Sequence, residues 1–223
     1  AVPDAFVADV FNAMKTSGRH TFQVLTKRAE RMAAFVTRWT GAPLPLPNVW
    51  LGVSVENQAA ADERIPHLLA TPAAVRFLSC EPLLGPVDLG KTTTAERKRV
   101  QAFVAKTGGP EKIRTWAEML DWVIVGGESG PKARPCDVAW IRSIVEQCRP
   151  AGMPVFVKQI GAHVVASGAA QGGWPIDSAP GLTSDTSVNP TRIRVRDRKG
   201  GNPAEWPEDL RVRESPRVPG WTP

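Results

Sequence analysis

The chain has 223 residues, 42% hydrophobic and 22% charged, which is the balance of a globular protein with ample apolar material for a core. No apolar run reaches the length of a membrane span, and no charged-then-apolar leader opens the chain, so the sequence argues for a cytoplasmic protein with no membrane partner. The formal charge of +6 (pI about 9.6) is compatible with a polyanionic partner but does not demand one.

Residues 3–16 open with Pro3 and Asp4 and place Phe6, Val7, Val10, Phe11 and Met14 on one side, which predicts an amphipathic helix stopped by Ser17-Gly18. Residues 21–26 read as a short strand, and 27–39 return to helical spacing. The proline-rich stretch 41–48 cannot be helical and delivers the chain to a strand at 49–55. A helix at about 57–70, a strand at 75–79 and a Pro/Gly-rich loop at 82–90 follow. Residues 91–119 are rich in Lys, Arg, Glu and Thr and read as a partly helical surface insert. A strand at 121–126, a loop at 127–136, a helix at 137–149 and a strand at 154–158 complete the pattern. From about residue 164 the periodicity is lost. Residues 164–223 are therefore expected to form a loosely structured, Pro/Gly/Arg-rich extension with two ordered fragments at 191–197 and 202–213.

Apolar strands alternating with helices predict a parallel sheet. An open doubly wound sheet and a (β/α) barrel both fit, and five strands are too few for a closed eight-strand barrel. In either case ligands bind beyond the carboxyl ends of the strands. The residues leaving the five strands are Thr26, Lys27 and Arg28; Ser54, Glu56 and Asn57; Ser79, Cys80 and Glu81; Gly126, Gly127, Glu128 and Ser129; and Lys158 and Gln159. Each has a structural rival. Lys27 and Arg28 can simply open a helix, and Glu56-Asn57 can be an N-cap with acidic dipole compensation. Glu81 precedes a proline and has less excuse. The loop GGESGPKARP is the strongest candidate binding loop, since its glycines permit close backbone approach, yet it carries no nucleotide signature.

Cys80, Cys136 and Cys148 have spacings that match no compact metal motif, and no metal ligand set is read from them. Cys80 invites a nucleophilic reading, but a buried inert thiol is the better one. Of eight tryptophans, Trp50 and Trp122 belong to strands and read as core. Trp174, Trp206 and Trp221 either staple the extension to the body or stack on bases.

The strings HTFQVLTKRAERM (20–32), LPNVWLGVSVENQ (46–58), the segment 61–89, WVIVGGESGPKARP (122–135), the segment 138–161 and DRKGGNPAEWPEDLRVRE (197–214) resemble a phage-associated family of unassigned function, the phage gene product 37 / gene product 68 type. That family looks like a relative of radical S-adenosylmethionine enzymes, whose N-terminal cysteine motif holds a 4Fe–4S cluster. The resemblance implies a partial parallel (β/α) barrel over 1–163, incomplete at its N-terminus. Here the cysteine motif is missing and the chain begins with Ala1, so a fragment or a natural short form is expected, with no cofactor bound by the chain as given. S-adenosylmethionine and the cluster are implied for a full-length form. Gly126, Gly127, Glu128, Ser129, Glu56, Asn57 and Glu81 are then expected on the cofactor side, and Lys27, Arg28, Lys158 and Gln159 on the substrate side. The alternative is a non-catalytic phage or prophage protein that binds nucleic acid, supported by the net charge, the basic insert (Lys91, Arg97, Lys98, Arg99, Lys106) and the Arg/Trp-bearing C-terminal segment.

Overall fold

The computed structural model describes residues 2–107, 109, 111–167 and 183–216. In chain order the elements are α1 (Asp4–Thr16), β1 (Phe22–Thr26), α2 (Ala29–Arg38), β2 (Val49–Ser54), α3 (Gln58–Ala70), β3 (Val75–Cys80), α4 (Thr94–Thr107), α5 (Trp116–Met119), β4 (Trp122–Gly126), β5 (Cys136–Asp137), α6 (Val138–Cys148), β6 (Val155–Gln159), β7 (Val164–Ala166), β8 (Thr183–Asp185) and β9 (Thr191–Arg194). The five longer strands form one parallel sheet in the order β1-β2-β3-β4-β6. The remaining strands form a second, mixed sheet in the order β5-β7-β9-β8.

All six residues of β2 are buried, as a strand covered on both faces and both edges must be. The period of two divides the sheet into two unlike faces. Leu51, Val53, Leu78, Val123, Val125, Val155 and Val157 point into the main core with Met32, Phe35, Ile65, Leu68, Ile141 and Ile144 from α2, α3 and α6. Burial of this kind stabilises by roughly 1.5–3 kcal/mol for each large apolar side chain. The other face carries a separate cluster of Trp50, Val75, Phe77 and Trp122, with Ile124 and Phe156 packed against it. There Trp122 meets Trp50 edge-on at 6.1 Å. Gly52 leaves the room that the Phe77 ring occupies, since a Cβ would meet that ring at 2.5 Å.

Strands adjacent in sequence are adjacent in space, so the sheet is wound in one direction. With right-handed crossovers, single winding puts the connecting helices on one face. The shared core of α2, α3 and α6 agrees with that placement. The outer edge of β6 is covered by the C-terminal segment: Val157 N–H donates to Val212 O at 2.8 Å and Glu214 N–H to Val155 O at 2.8 Å. Trp206 and Leu210 are fully buried, and the Trp206 indole donates to Gly200 O at 3.0 Å, so Trp206 staples this segment and is not free to stack on a base. Trp174 and Trp221 lie outside the described residues. Trp50 and Trp122 are buried, as expected of core residues.

Candidate ligand-binding site

Two clusters form at the carboxyl ends of the parallel strands. The first centres on Glu56, just past β2. Its carboxylate accepts from Arg64 Nη1 at 2.9 Å and forms an ion pair with Lys27 at the end of β1. Arg64 Nη1 also donates to Ser54 O at 2.8 Å, which aims the guanidinium across the strand end. Burial pushes the Glu56 carboxyl up. The hydrogen bond from Lys27, the Glu56 backbone N–H and the positive charge of Arg64 outweigh it and hold the group ionised, below its ordinary range. Asn57 is the N-cap of α3, its side-chain oxygen accepting from Ala60 N–H at 3.0 Å. The capping role weighed from sequence is therefore real for Asn57, whereas Glu56 spends its charge on side-chain cations.

The second cluster centres on Glu81, just past β3. Ser79 Oγ donates to Glu81 Oε2 at 3.4 Å, and Lys158 Nζ stands 3.2 Å from Oε1. Leu83 N–H donates to Gly126 O and Leu84 N–H to Glu56 O, so the turn after Glu81 is tied to both neighbouring strand ends. Gly126 is what lets Glu81 lie close. A Cβ there would sit 3.2 Å from Glu81 Oε1 and 2.9 Å from Gln159 O.

Gly127 approaches backbone. A Cβ would meet Ile160 O at 2.4 Å and Gly161 Cα at 2.8 Å, so this glycine admits the turn after β6. Gln159 Nε2 donates to Gly127 O at 2.8 Å and locks the same contact. Glu128 is clamped by Arg134, whose Nε and Nη2 donate to its two oxygens at 2.8 and 2.9 Å while the Arg134 backbone N–H adds a third bond at 2.9 Å. These bonds pull the Glu128 carboxyl down to about 2. Ser129 and Arg28 are exposed, Ser129 at the loop tip and Arg28 at the start of α2 with its backbone N–H on Thr26 Oγ1.

The structure thus brings Lys27, Glu56 and Asn57 into one cleft with Pro82 and Leu84, and sets Glu81, Ser79 and Lys158 beside it. Three charged residues of this cleft were not read from sequence, Glu63, Arg64 and Arg134. Arg64 lies seven residues, about two helical turns, after Asn57, so heptad spacing along α3 was the available signal. Arg134 had no comparable signal, because its place depends on the fold of loop 127–135.

All three cysteines are buried. Burial pushes the Cys136 and Cys148 thiols up to about 12 and the Cys80 thiol higher still, so none is a ready thiolate. Among the described residues no group of three His, Cys, Asp or Glu side chains could hold a metal ion. Several cations of the insert are spoken for: Lys91 pairs with Asp62, and Arg99 with Glu96 and Glu111. Arg97, Lys98 and Lys106 are exposed along α4.

The fold and site define a mixed α/β protein whose polar groups gather beyond the carboxyl ends of a singly wound parallel sheet. No helix among the described residues is long and apolar enough to cross a membrane. The chain belongs to DUF5131, a family of proteins of unknown function, which matches residues 1–208. No curated protein and no solved structure matches it.

Proposed function

We propose that the strand-end face binds a zwitterionic, hydroxyl-bearing ligand of the S-adenosylmethionine kind, in a cytoplasmic phage-type relative of radical S-adenosylmethionine enzymes whose sheet is an arc of a (β/α) barrel. The observation that carries this reading is the alternation of charge along the strand ends. Glu56 lies between Lys27 and Arg64, and Glu81 lies beside Lys158 with a hydroxyl from Ser79. An amino-acid moiety presents an ammonium and a carboxylate a few bonds apart. A surface holding both signs in fixed positions can pair each of them through charge-assisted hydrogen bonds. Lys27 and Lys158 are more than half exposed, so a ligand carboxylate can reach them, while the Glu56 and Glu81 carboxyl oxygens are acceptors for an ammonium or a ribose hydroxyl. The sequential strand order supports the barrel arc, since a doubly wound sheet reverses its order at a switch point.

A 4Fe–4S cluster does not fit the described residues. It needs three thiolates converging on one site, and these three thiols are buried, protonated and dispersed. No redox step is assigned to this chain's residues.

Titration calorimetry with S-adenosylmethionine tests the site. Glu81→Gln is expected to weaken binding about tenfold, the value of one charge-assisted hydrogen bond. Absence of binding by the native chain overturns the ligand reading. Iron and acid-labile sulfide in the protein expressed from its complete reading frame test the radical kinship separately, and an iron-free, colourless protein overturns it.

A further inference from the structure

The segment 191–198, TRIRVRDR, places an arginine at every second position: Arg192, Arg194, Arg196 and Arg198. All four are exposed, and Lys199 follows them. The residues between them turn inward, with Thr191 and Ile193 buried and Val195 and Asp197 half-buried. Over β9 this is the two-residue period of an extended chain with one face packed and one exposed, and Arg198 and Lys199 follow in the turn. Arg192 and Arg194 stand on β9, between β7 and β8 in the mixed sheet. Asp185 is opposite Arg192 in the ladder, and its carboxylate takes hydrogen bonds from the Ser187 N–H and hydroxyl. Asp197 spends its carboxylate on the backbone N–H groups of Lys199 and Gly201, each at 3.0 Å. Four exposed cations, Arg192, Arg194, Arg198 and Lys199, therefore stand on β9 and its turn, with the Asp185 carboxylate across the ladder already bonded to Ser187.

The face is also rigid at its far end. Gly200 adopts φ +64°, and a Cβ on it would meet Gly161 O at 2.3 Å, so the turn bearing Arg198 and Lys199 is seated directly on Gly161. Ile160 N–H donates to Gly200 O at 2.9 Å, which closes the same contact from the other side. Gly161 in turn packs on Gly127. The basic row thus runs along β9 and ends beside the loop after β4.

We propose that the arginine face of β9 and the turn that follows it bind the sugar–phosphate backbone of single-stranded nucleic acid. Alternate residues of a strand are about 6.7 Å apart. Neighbouring phosphates of a flexible single strand can be drawn to such a pair, so Arg192 and Arg194 can each meet a phosphate. Guanidinium groups pair with phosphate oxygens through two parallel hydrogen bonds, which lysine cannot do. Recognition is by backbone and not by base, because no exposed aromatic side chain of the described residues lies on this strand and Trp206 is buried. An acidic membrane surface is a poorer match, since the residues between the arginines point inward and offer no apolar side chain for the acyl boundary. The basic helix α4 is the rival cationic patch, but one of its two arginines, Arg99, is tied to Glu96 and Glu111, which leaves Arg97 beside Lys98 and Lys106. The proposal rests on none of the ligand reading given above.

The test is fluorescence anisotropy of a short labelled single-stranded oligonucleotide, DNA and RNA in parallel, with the intact chain over a salt series. Native protein is expected to bind at about 50 mM salt and to lose affinity as salt rises. The triple variant R192A/R194A/R198A is expected to bind about tenfold or more weakly and to lower the salt slope by about 2, three phosphate contacts at roughly 0.7 each. Its circular dichroism and melting temperature should be unchanged, because these side chains are exposed. The control variant R97A/K98A/K106A on α4 should retain affinity within about twofold. Absence of oligonucleotide binding by the native chain at low salt overturns the proposal. So does an equal or larger loss in the α4 variant, or tighter binding to phosphatidylserine-containing vesicles than to the oligonucleotide.

Discussion

The two ends of the parallel sheet are built from similar residue types put to different uses. The larger cavity, about 970 Å³, lies at the amino ends of β3, β4 and β6, where Val75, Asp121, Pro154, Val155 and Glu214 line it. The cleft at the carboxyl ends is smaller, about 410 Å³. Volume alone would favour the amino end. At the amino end, Asp121 Oδ2 accepts from Arg76 N–H at 2.7 Å and Glu214 Oε2 from Val155 N–H at 3.1 Å, while the Glu214 carbonyl takes the Trp122 indole at 2.9 Å. Glu118 serves the capping box of α5. The Asp121 and Glu214 carboxylates satisfy backbone donors that would otherwise be left unpaired, and neither can turn to a ligand without exposing that cost. At the carboxyl end, Glu56 and Glu81 pair with side-chain cations that are partly solvated and can exchange partners. A candidate site is recognised by groups whose present partners are replaceable.

The comparison predicts opposite responses to substitution. The largest effect is expected from Gly127→Val, which forces a Cβ against the backbone of Ile160 and Gly161. Neither can rotate away, and the loss should reach about 3 kcal/mol in urea unfolding, at the upper end of overpacking costs. Asp121→Ala at the amino end leaves the Arg76 N–H without its acceptor and should cost about 1–2 kcal/mol, with ligand affinity untouched. Glu81→Gln at the carboxyl end should do the reverse. Its partner Lys158 is more than half exposed, so stability should change by less than about 1 kcal/mol while ligand affinity falls. If Asp121→Ala weakens ligand binding as much as Glu81→Gln does, the division between the two ends fails.

The same contrast explains what could be read before the structure was seen. The long strands were legible because burial on both faces demands unbroken apolar runs such as VWLGVS, and the helices because Met32, Phe35 and Val36, or Ile141, Ile144 and Val145, repeat at helical spacing. Of the second sheet only the ordered fragment 191–197, which holds β9, was legible, since β5 has two residues and β7 three, too few to show any period. The ordered fragment 202–213 and the stapling role of Trp206 were legible, whereas Leu210 had no periodic neighbours to announce it. Within the site, position relative to a strand end identified Glu56, Glu81 and Lys158. Arg64 and Arg134 come from a helix and a loop, so no strand-end rule reaches them. The glycines of the loop were singled out for close approach to a ligand, whereas what Gly127 approaches is the turn after β6, a long-range contact that no local pattern encodes.

The smallest expected effect concerns the clamp between Glu128 and Arg134. Its bonds lower the carboxyl from the ordinary 4.5 to about 2, so the folded state binds the proton less readily than the unfolded one. The clamp's contribution is then complete above about pH 4.5 and is lost as pH falls toward 2. Both partners are solvent-accessible, so the effect belongs to the loop and leaves the sheet standing. Amide exchange read by mass spectrometry across the acid range should show residues 127–135 losing protection before β4 and β6 do. In Arg134→Gln the same loop should already exchange fast at neutral pH, with no further acid-dependent step. A loop that stays protected in that variant would mean that the Gly127 contact alone holds it, and Glu128 would then be free to serve a ligand.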